Sequence, residues 1–351
     1  MEEKIYVIKP NKNISPRLNN MIKAFVEGKS HEIIEDFTTS LNLKNKKLLF
    51  AAEINKSLYD ISMINFLSDL IENDELALEN SIGSMIICSP CELGTKNFGQ
   101  DILFLSNDMG CHFIGHPLVE ATDKLNNLLK WKKVLNLPLE QVLLNRCATL
   151  GERLFYFENL KIENPKILVL YSTPHKYSNT LALWHMVKDN LPCDSNIKEI
   201  CIENGKVQDC KGCSYNACIH FGKRKSCFYG GVMVEDVLPA IEESNIIIWL
   251  CPNYNDAIAA NLTAVINRLT VLYNRIIFHD KSIFGIVVSG NSGSDSVGKQ
   301  LIGALNLNKG FQLPPNSILT ATANDPKSIL NYENVEILSK SFSDNIMHII
   351  K

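Results

Sequence analysis

Four of the eleven cysteines in this 351-residue chain lie close together, at Cys210, Cys213, Cys218 and Cys227. Four thiolates that converge from one loop can hold a [4Fe-4S] cluster, and the Cys-x-x-Cys pair has a suitable spacing for two of the ligands. Zinc accepts the same ligand set, a reactive thiol pair is a further alternative, and packed thiols around a tight turn need no metal. We therefore predict a cysteine-rich loop over residues 207–230, with the cluster as the leading interpretation.

Three polar loops, each following an apolar segment, form a second set of candidates. Hydroxyl donors and the free N–H groups of a helix N-terminus can hold a phosphate without positive charge, whereas simple helix capping by Ser178 or Thr180 is the structural alternative. A glycine-containing loop also lets a planar ring approach the backbone. Neither a dinucleotide fingerprint nor a P-loop occurs in the first loop. The candidate binding residues are Ser172, Thr173, Ser178, Asn179 and Thr180 in the first loop, Pro252, Asn253, Tyr254 and Asn255 in the second, and Ser289, Gly290, Asn291, Ser292 and Gly293 in the third.

Short apolar strands that alternate with helices would position these loops. The hydrophobic pattern of the second half predicts strands at 166–170, 197–202, 246–251, 282–289 and 317–321, and helices at 179–190, 232–243, 257–273 and 294–307. This alternation is typical of a parallel sheet covered on both faces. Open sheets of this kind bind ligands at the carboxyl ends of their strands. The second half is therefore predicted to be a doubly wound α/β domain with the three loops at one edge.

The first half shows the same alternation in a diverged form. A shift of 162 residues places residues 5–8 on residues 167–170, and residues 86–87 on residues 248–249, which indicates an internal duplication. The join is predicted just before Pro165, because proline disfavours helix in the residue before it. We expect two α/β units, residues 1–160 and 161–351. The loop 11–17 of the first unit has lost most of the hydroxyls of its counterpart, so we expect no phosphate ligand there.

Composition excludes several classes of protein. The formal net charge of -3 provides no basic surplus for nucleic-acid binding. No apolar run is long enough to cross a membrane, and the N-terminus has no signal-peptide pattern, so a cytoplasmic protein is expected. The cysteines outside the cluster of four are interpreted as packed thiols, including the pair Cys88 and Cys91. His112 and His116 have helical metal-ligand spacing, but the intervening Gly115 and the following Pro117 argue against a helix.

The three loops and the helix over residues 260–268 together resemble the NADPH-dependent FMN reductases of the flavodoxin-like fold, over roughly Lys166 to Ala323. The resemblance implies that the first loop holds the FMN phosphate, while the Pro-x-Tyr turn at 252–254 and the third loop contact the isoalloxazine ring. The cysteine run resembles the cluster loop of the iron-sulfur flavoproteins of this family. That likeness implies FMN and a [4Fe-4S] cluster in one subunit.

The resemblance also implies an architecture and a set of partners. We expect two tandem flavodoxin-like doubly wound parallel-sheet units, of which the first is degenerate and holds no flavin. Related reductases commonly dimerise so that a second subunit covers one side of the flavin. The chain is therefore expected either to form a homodimer or to use its first unit as an intramolecular pseudo-dimer, and a docking surface for a partner protein is the alternative.

Two functions of different classes follow. The first is an FMN-dependent oxidoreductase that uses NAD(P)H to reduce flavin, a quinone or a small electrophile. The second is an iron-sulfur flavoprotein that carries electrons between a ferredoxin-like donor and a partner protein. A scaffold that has kept the fold without redox activity is a third alternative. In either redox function the cofactor supplies the chemistry, and no catalytic acid–base pair or protein nucleophile is expected.

Overall fold

The chain divides into two compact units, Met1–Glu158 and Asn159–Lys351. The computed structural model describes residues 3–159, 161–173, 176–192 and 195–350. Pro174 and His175 of the first polar loop, and Cys193, lie outside the described residues. In the described part of the chain, no helix is both long and apolar enough to cross a membrane.

The first unit is a parallel sheet with helices on its connections. Its strands are β1 (Ile5–Ile8), β2 (His31–Ile34), β3 (Lys47–Glu53), β4 (Ile82–Cys88) and β5 (His112–Ala121), and its helices are α1 (Pro16–Val26), α2 (Ile61–Asn73), α3 (Thr95–Asp108), α4 (Leu129–Leu135) and α5 (Leu139–Phe155). The strand order is β2-β1-β3-β4-β5, and every pairing is parallel. The central strands β3 and β4 are almost wholly buried because helices cover both faces of the sheet.

The second unit has the same architecture. Its strands are β6 (Lys166–Tyr171), β7 (Asn196–Cys201), β8 (Ile246–Pro252), β9 (Ser282–Ser289) and β10 (Ile318–Thr322), and its helices are α6 (Asn179–Asp189), α7 (Tyr215–Gly222), α8 (Leu238–Glu243), α9 (Ala260–Arg268), α10 (Thr270–Tyr273), α11 (Ser294–Ile302) and α12 (Val335–His348). Single π-helical turns over Met233–Val237 and Gly303–Leu307 adjoin α8 and α11. The strand order is β10-β9-β8-β6-β7, again all parallel.

Both sheets have one strand order when each is numbered from its own first strand, namely 2-1-3-4-5. This is the flavodoxin-like order of a doubly wound sheet. The predicted fold class, two tandem flavodoxin-like doubly wound units, is therefore confirmed. In each unit the chain adds its second strand on one side of the first strand and its third strand on the other side. The direction of winding therefore reverses next to β1 and β6, and this reversal is the topological switch point at which ligands bind.

The shift of 162 residues aligns only the first strands of the two units. Residues 86–87 lie in β4, the fourth strand of its unit, whereas residues 248–249 lie in β8, the third strand of its unit. By topology β3 corresponds to β8, and their first residues, Lys47 and Ile246, are 199 residues apart. The shift changes because the connection between the second and third strands, residues 35–46 in the first unit, is much longer in the second unit. That longer connection contains the four clustered cysteines.

The helix predicted over residues 257–273 is shorter and interrupted. Tyr254 and Ala257 form an antiparallel bridge around a turn, so that α9 begins only at Ala260. Asn255 and Asp256 both have φ of 55°, and this left-handed backbone cannot belong to a helix. The second interruption falls at Leu269, between α9 and α10. The pair His112 and His116 lies in β5, as the argument against a helix predicted.

Candidate functional site

Three of the predicted loops meet at one edge of the second sheet. β8 pairs in parallel with β6 on one side and with β9 on the other, so the carboxyl ends of the three strands lie side by side. The first polar loop follows β6, the second follows β8 and the third follows β9. Since ligands of open α/β sheets bind outside the carboxyl ends of the strands, this edge is the candidate site.

Asn253 joins the second loop to the third. Its Nδ2 donates hydrogen bonds to Ser289 Oγ at 2.9 Å and to the carbonyl oxygen of Ser292 at 3.0 Å, as well as to Asp256 Oδ1 at 3.1 Å within its own loop. Ser289 Oγ lies a further 2.7 Å from Ser294 Oγ. The second and third loops are therefore joined by one hydrogen-bonded network in which Asn253 is the central residue.

Gly293 is required by the close approach of these loops. Its φ of 85° is in the left-handed region, and it is the residue that caps the start of α11. A Cβ at this position would lie 1.8 Å from Asp256 Oδ1 and 3.0 Å from Asn253 Nδ2, so any other residue at 293 would require the Asp256 side chain to move. Glycine at 293 thus allows the third loop to contact the second.

Asn261 fastens the first loop to the same edge. Its Nδ2 donates to the carbonyl oxygen of Ser172 at 2.8 Å and also to the carbonyl oxygen of Ile202, and the side chain is buried. Asn261 was absent from the residues predicted for the site. In the sequence Asn261 is one of several polar residues of α9, and the two carbonyl groups that it contacts lie just after the strands β6 and β7.

The hydroxyl of Ser172 is buried and has no hydrogen-bond partner among the described residues. A buried hydroxyl without a partner costs free energy, about 1–3 kcal/mol, unless a ligand or water satisfies it. It lies at the start of the loop that leads to the N-terminus of α6, where backbone N–H groups attract an anion. This is the position at which a phosphate group would complete the site.

The other candidates of the first loop differ in their surroundings. Ser178 Oγ accepts the N–H of Leu181 at 3.2 Å and so caps α6, while its O–H remains able to donate, since a hydroxyl has both capacities. The amide of Asn179 donates to the carbonyl oxygens of Ala323 and Asp325, which ties this loop to the segment after β10. The remaining candidates are the half-buried Thr173 and the buried Thr180.

The residues predicted to contact a planar ring border this edge. Pro252 is the last residue of β8, and Tyr254 follows it with 53% of its surface exposed. A Cβ on Gly290 would approach Asn324 Oδ1 at 3.0 Å, so the third loop also packs closely on the segment after β10. The exposed Tyr254 side chain provides an aromatic face, and the glycine-containing turn provides a stretch of accessible backbone. Both lie beside the hydrogen-bonded network of Asn253. The remaining ring candidates are the exposed Asn255 and Asn291.

The four clustered cysteines line one cavity of about 260 Å³. Cys210 and Cys213 are exposed, and Cys218 and Cys227 are half-buried. Burial, followed by the neighbouring thiolates, raises the pKa of Cys218. The rest of the wall comes from aromatic residues and from the end of α9 and the following α10, and comprises Tyr215, Phe221, Phe228, Tyr229, Asn267, Arg268, Thr270, Val271 and Asn274 together with Gly212 and Ala217.

Among the residues that the structure describes, no three His, Cys, Asp or Glu side chains are grouped closely enough to hold one ion. Cys213 Sγ lies 3.9 Å from the hydroxyl of Tyr229, and Asn274 Nδ2 lies 4.0 Å from Cys218 Sγ, so both thiols face the cavity wall. The four clustered cysteines thus surround a cavity. The predicted [4Fe-4S] site remains a proposal.

The corresponding edge of the first unit carries different chemistry. Glu53 is the last residue of β3, the position that Pro252 occupies in β8. Its carboxylate accepts the backbone N–H of Ser15, immediately before α1. A carboxylate at this helix N-terminus takes the place that a phosphate would need and repels an anion. The absence of flavin from the first unit stays a prediction.

The Cys88 and Cys91 pair lies at the end of β4 and therefore corresponds to the end of β9, not to Cys251 of β8 as the alignment of the sequence suggested. Burial raises the pKa of Cys88, which keeps it a protonated thiol. Gly94 begins α3 with φ of 92°, as Gly293 begins α11 with φ of 85°. The turn after the fourth strand is therefore shared by the two units.

The fold and the edge define the second unit as a flavodoxin-like α/β unit whose candidate ligand site is the edge formed by the carboxyl ends of β6, β8 and β9. Residues 165–325 match the family model of NADPH-dependent FMN reductase. The resemblance drawn from the loops is therefore confirmed for this segment, which matches an oxidoreductase family in sequence. No curated protein matches the chain in sequence.

Several solved structures resemble part of the chain. RosB, crystallised with 8-demethyl-8-formylriboflavin-5'-phosphate, is 15% identical, with 53% of this chain and 78% of that chain covered and a TM-score of 0.40. The NAD(P)H:quinone oxidoreductase from Methanothermobacter marburgensis is 12% identical, with 53% and 97% covered and a TM-score of 0.40. An FMN-dependent NADH-azoreductase from Bacillus anthracis, in complex with FMN, is 12% identical, with 52% and 99% covered and a TM-score of 0.37.

Proposed function

We propose that this protein is an FMN-dependent oxidoreductase that takes electrons from NAD(P)H and passes them to a flavin, a quinone or a small electrophile. The observation that carries the proposal is the assembly of three loops at one sheet edge, within the segment that matches the FMN reductase family. Asn253 and Asn261 hold these loops together through side-chain hydrogen bonds. FMN, when bound, supplies the redox chemistry.

The phosphate end of FMN fits the first loop. Ser172 offers a buried hydroxyl that lacks a partner among the described residues, and Ser178 can donate its O–H while it caps α6. The first N–H groups of α6 point toward the same place, because a helix leaves these donors without partners in the helix. A monophosphate would therefore receive hydroxyl and backbone donors. In this arrangement Asn179 is a positioning residue, and Thr173 and Thr180 line the start and end of the loop.

The ring end fits the second and third loops. Tyr254 can lie against one face of an isoalloxazine ring, and the backbone of the third loop can approach the ring edge. Candidate hydrogen-bonding groups there are Asn255, Asn291 and Ser292, while Asn253 joins the second loop to the third. The side chains of this chain orient the ring and exclude water. We assign no catalytic acid, base or nucleophile to them.

The test begins with the full-length protein. After removal of any bound flavin, the apoprotein is titrated with FMN and with riboflavin, which lacks the phosphate. We expect FMN to bind at least about tenfold more tightly, since two or three charge-assisted hydrogen bonds contribute to it alone. The loaded protein should then oxidise NADPH or NADH in the presence of a quinone. Equal affinities for the two flavins would remove the phosphate assignment, and loaded protein inert toward both nicotinamides would remove the reductase assignment.

A second candidate function is electron transfer through an iron-sulfur cluster. The observation that favours it is the cavity of about 260 Å³ lined by all four clustered cysteines. Thiolates are the ligands such clusters require, and four of them around a space suit a polynuclear cluster better than one zinc ion, which needs its ligands to converge closely. The protein would then hand electrons from a ferredoxin-like donor to a partner protein.

The two proposed centres lie at opposite ends of one helix. Asn261, near the start of α9, binds the first loop of the flavin edge, and Arg268, the last residue of α9, lines the cysteine cavity. A helix rises about 1.5 Å per residue, so the two side chains are anchored roughly 10 Å apart along the axis. Protein reconstituted without oxygen should contain iron and acid-labile sulfide in equal amounts. Zinc without sulfide, or no metal, would reject the cluster and leave the reductase proposal unchanged.

A further inference from the structure

Arg268 is a buried cation in the wall of the four-cysteine cavity. Only 3% of its surface is exposed, although it carries a permanent positive charge. The cost of removing a cation from water is normally offset by an anion or by a full set of hydrogen bonds. Arg268 forms no ion pair with any residue in the described ranges, and its Nε–H has no acceptor there.

The rest of the guanidinium closes the cysteine loop. Nη1 donates to the carbonyl oxygen of Gln208 at 3.3 Å, and Nη2 donates to the carbonyl oxygen of Gly230 at 3.1 Å. These carbonyls stand before the first and after the last of the four cysteines. A second tie comes from Asn267, whose Nδ2 donates to Asp209 Oδ1 at 2.9 Å. The end of α9 therefore fastens both ends of the loop that carries the thiols.

A second cation, Lys309, lies next to a residue that lines the cavity. Lys309 Nζ donates to Thr270 Oγ1 at 3.1 Å, and Thr270 lines the cavity. Burial lowers the pKa of Lys309, while the nearby Cys210 and Cys218 act in the opposite direction. No acidic side chain is among the residues that line the cavity in the described part of the chain. The surroundings of the cavity therefore favour an occupant with negative charge.

We infer that Arg268 is a positioning residue for an anionic metal–thiolate group in the four-cysteine cavity, closing the loop around the group and directing Nε–H and a positive charge at it. The inference rests on the proposed cluster. Four thiolates carry more negative charge than the core of a [4Fe-4S] cluster carries positive charge, and hydrogen bonds and charge near the sulfur atoms set the reduction potential of such a cluster. Arg268 would thus stabilise the bound cluster and make it easier to reduce.

The experiment uses full-length protein reconstituted without oxygen with ferrous iron and sulfide. Wild type is compared with Arg268→Gln, which loses the charge, and with Arg268→Lys, which keeps the charge but cannot reach both carbonyl oxygens in the same way. Arg224→Gln is the matched control, since Arg224 is an arginine of the cysteine-rich loop itself and is exposed. Each protein is assayed for iron, sulfide, FMN content and the midpoint potential of the cluster.

We expect Arg268→Gln to hold less than about half of the wild-type iron and sulfide and to show a more negative cluster potential, with FMN content unchanged. Arg268→Lys should keep a potential closer to that of wild type, and Arg224→Gln should match wild type in both. Wild-type iron content and potential in both Arg268 variants would overturn the inference while the cluster stands. A wild-type protein without iron and sulfide would instead overturn the cluster, and with it the role of Arg268. If Arg268→Gln fails to fold, Arg268→Lys should still hold less iron and sulfide than wild type, because it cannot reach both carbonyl oxygens, and wild-type iron content in Arg268→Lys would then overturn the inference.

Discussion

Ser15 and Ser178 make the same hydrogen bond at the start of corresponding helices. Ser15 Oγ accepts the N–H of Leu18 at 3.2 Å, and Ser178 Oγ accepts the N–H of Leu181 at 3.2 Å. Each serine follows the first strand of its unit and caps the helix that comes next. The two sites differ in what else is present, because the carboxylate of Glu53 accepts the N–H of Ser15.

This pair separates helix capping from phosphate binding. Loss of an N-cap hydroxyl costs about 1 kcal/mol of stability in either unit. We expect Ser178→Ala also to weaken FMN binding by about tenfold, as one charge-assisted hydrogen bond is lost, whereas Ser15→Ala should leave FMN affinity unchanged. Flavin fluorescence titration and urea unfolding measure the two effects.

Riboflavin supplies the control within each variant. Because riboflavin has no phosphate, its affinity should be the same for wild type and for Ser178→Ala. An equal loss of FMN and riboflavin affinity would mean that Ser178 acts through the shape of the loop and not through the phosphate.

Gly293→Ala tests the contact between the second and third loops. Gly205 is its matched control, because the two glycines have φ of 85° and 83°, but a Cβ at 205 meets nothing within 4 Å. Gly205→Ala should cost about 1–2 kcal/mol through backbone strain alone. Gly293→Ala should cost more in stability and should lower FMN affinity, since the new methyl group collides with Asp256. Comparable unfolding and FMN binding in the two variants would show that the loops can separate without consequence.

Asp60 should make the first unit less stable as the pH rises. Burial raises the pKa of this carboxyl above 3.8, although it accepts the N–H groups of Glu53 and Met63. The folded state therefore favours the protonated form, and the associated stability is present below the unfolded pKa and lost as the pH rises through the folded pKa. Asp60→Asn should thus gain stability relative to wild type between about pH 4 and pH 7 in urea unfolding.

Asp74 is the control of opposite sign. A hydrogen bond from Lys44 lowers the pKa of Asp74, so its contribution is present above the unfolded pKa and lost as the pH falls. Asp74→Asn should lose stability relative to wild type as the pH rises, and only slightly, because salt and water screen an exposed pair. A variant of Asp60 that follows the same trend as Asp74→Asn would contradict the burial of Asp60.

Alkylation should sort the cysteines by their surroundings. Burial raises the pKa of Cys251 and of Cys147 to about 12, so both should resist iodoacetamide until the protein unfolds. The exposed Cys210 and Cys213 should be modified in the apoprotein. Reconstitution with iron and sulfide should protect them, as read by mass spectrometry of the peptides. Modification of Cys210 and Cys213 at the same rate after reconstitution would argue against their role as ligands.

Local pattern was enough to predict the five strands of the second unit. The apolar runs that became β6, β8 and β9 could be identified because a strand buried on both faces needs apolar residues at consecutive positions. The later start of α9 at Ala260 and the interruption at Leu269 were not predicted, because residues 257–259 and Leu269 are apolar and continue the helical pattern.

The correspondence between the units was only partly visible in the sequence. The alignment of β1 with β6 was correct. The same shift does not align the later strands, because the connection between the second and third strands is longer in the second unit. Strand order depends on pairing between distant segments, and that pairing identifies β4 with β9.

By itself, the sequence determined the α/β class, the three loops that follow apolar strands and the cysteine-rich loop, because each depends on residues near one another in the chain. Only the tertiary structure decided that Asn253 joins Ser289 and Ser292, that Asn261 holds Ser172, and that Arg268 closes the cysteine loop. The physical reason is that a buried polar group must find its hydrogen-bond partners wherever the fold places them, and here they come from segments far apart in sequence.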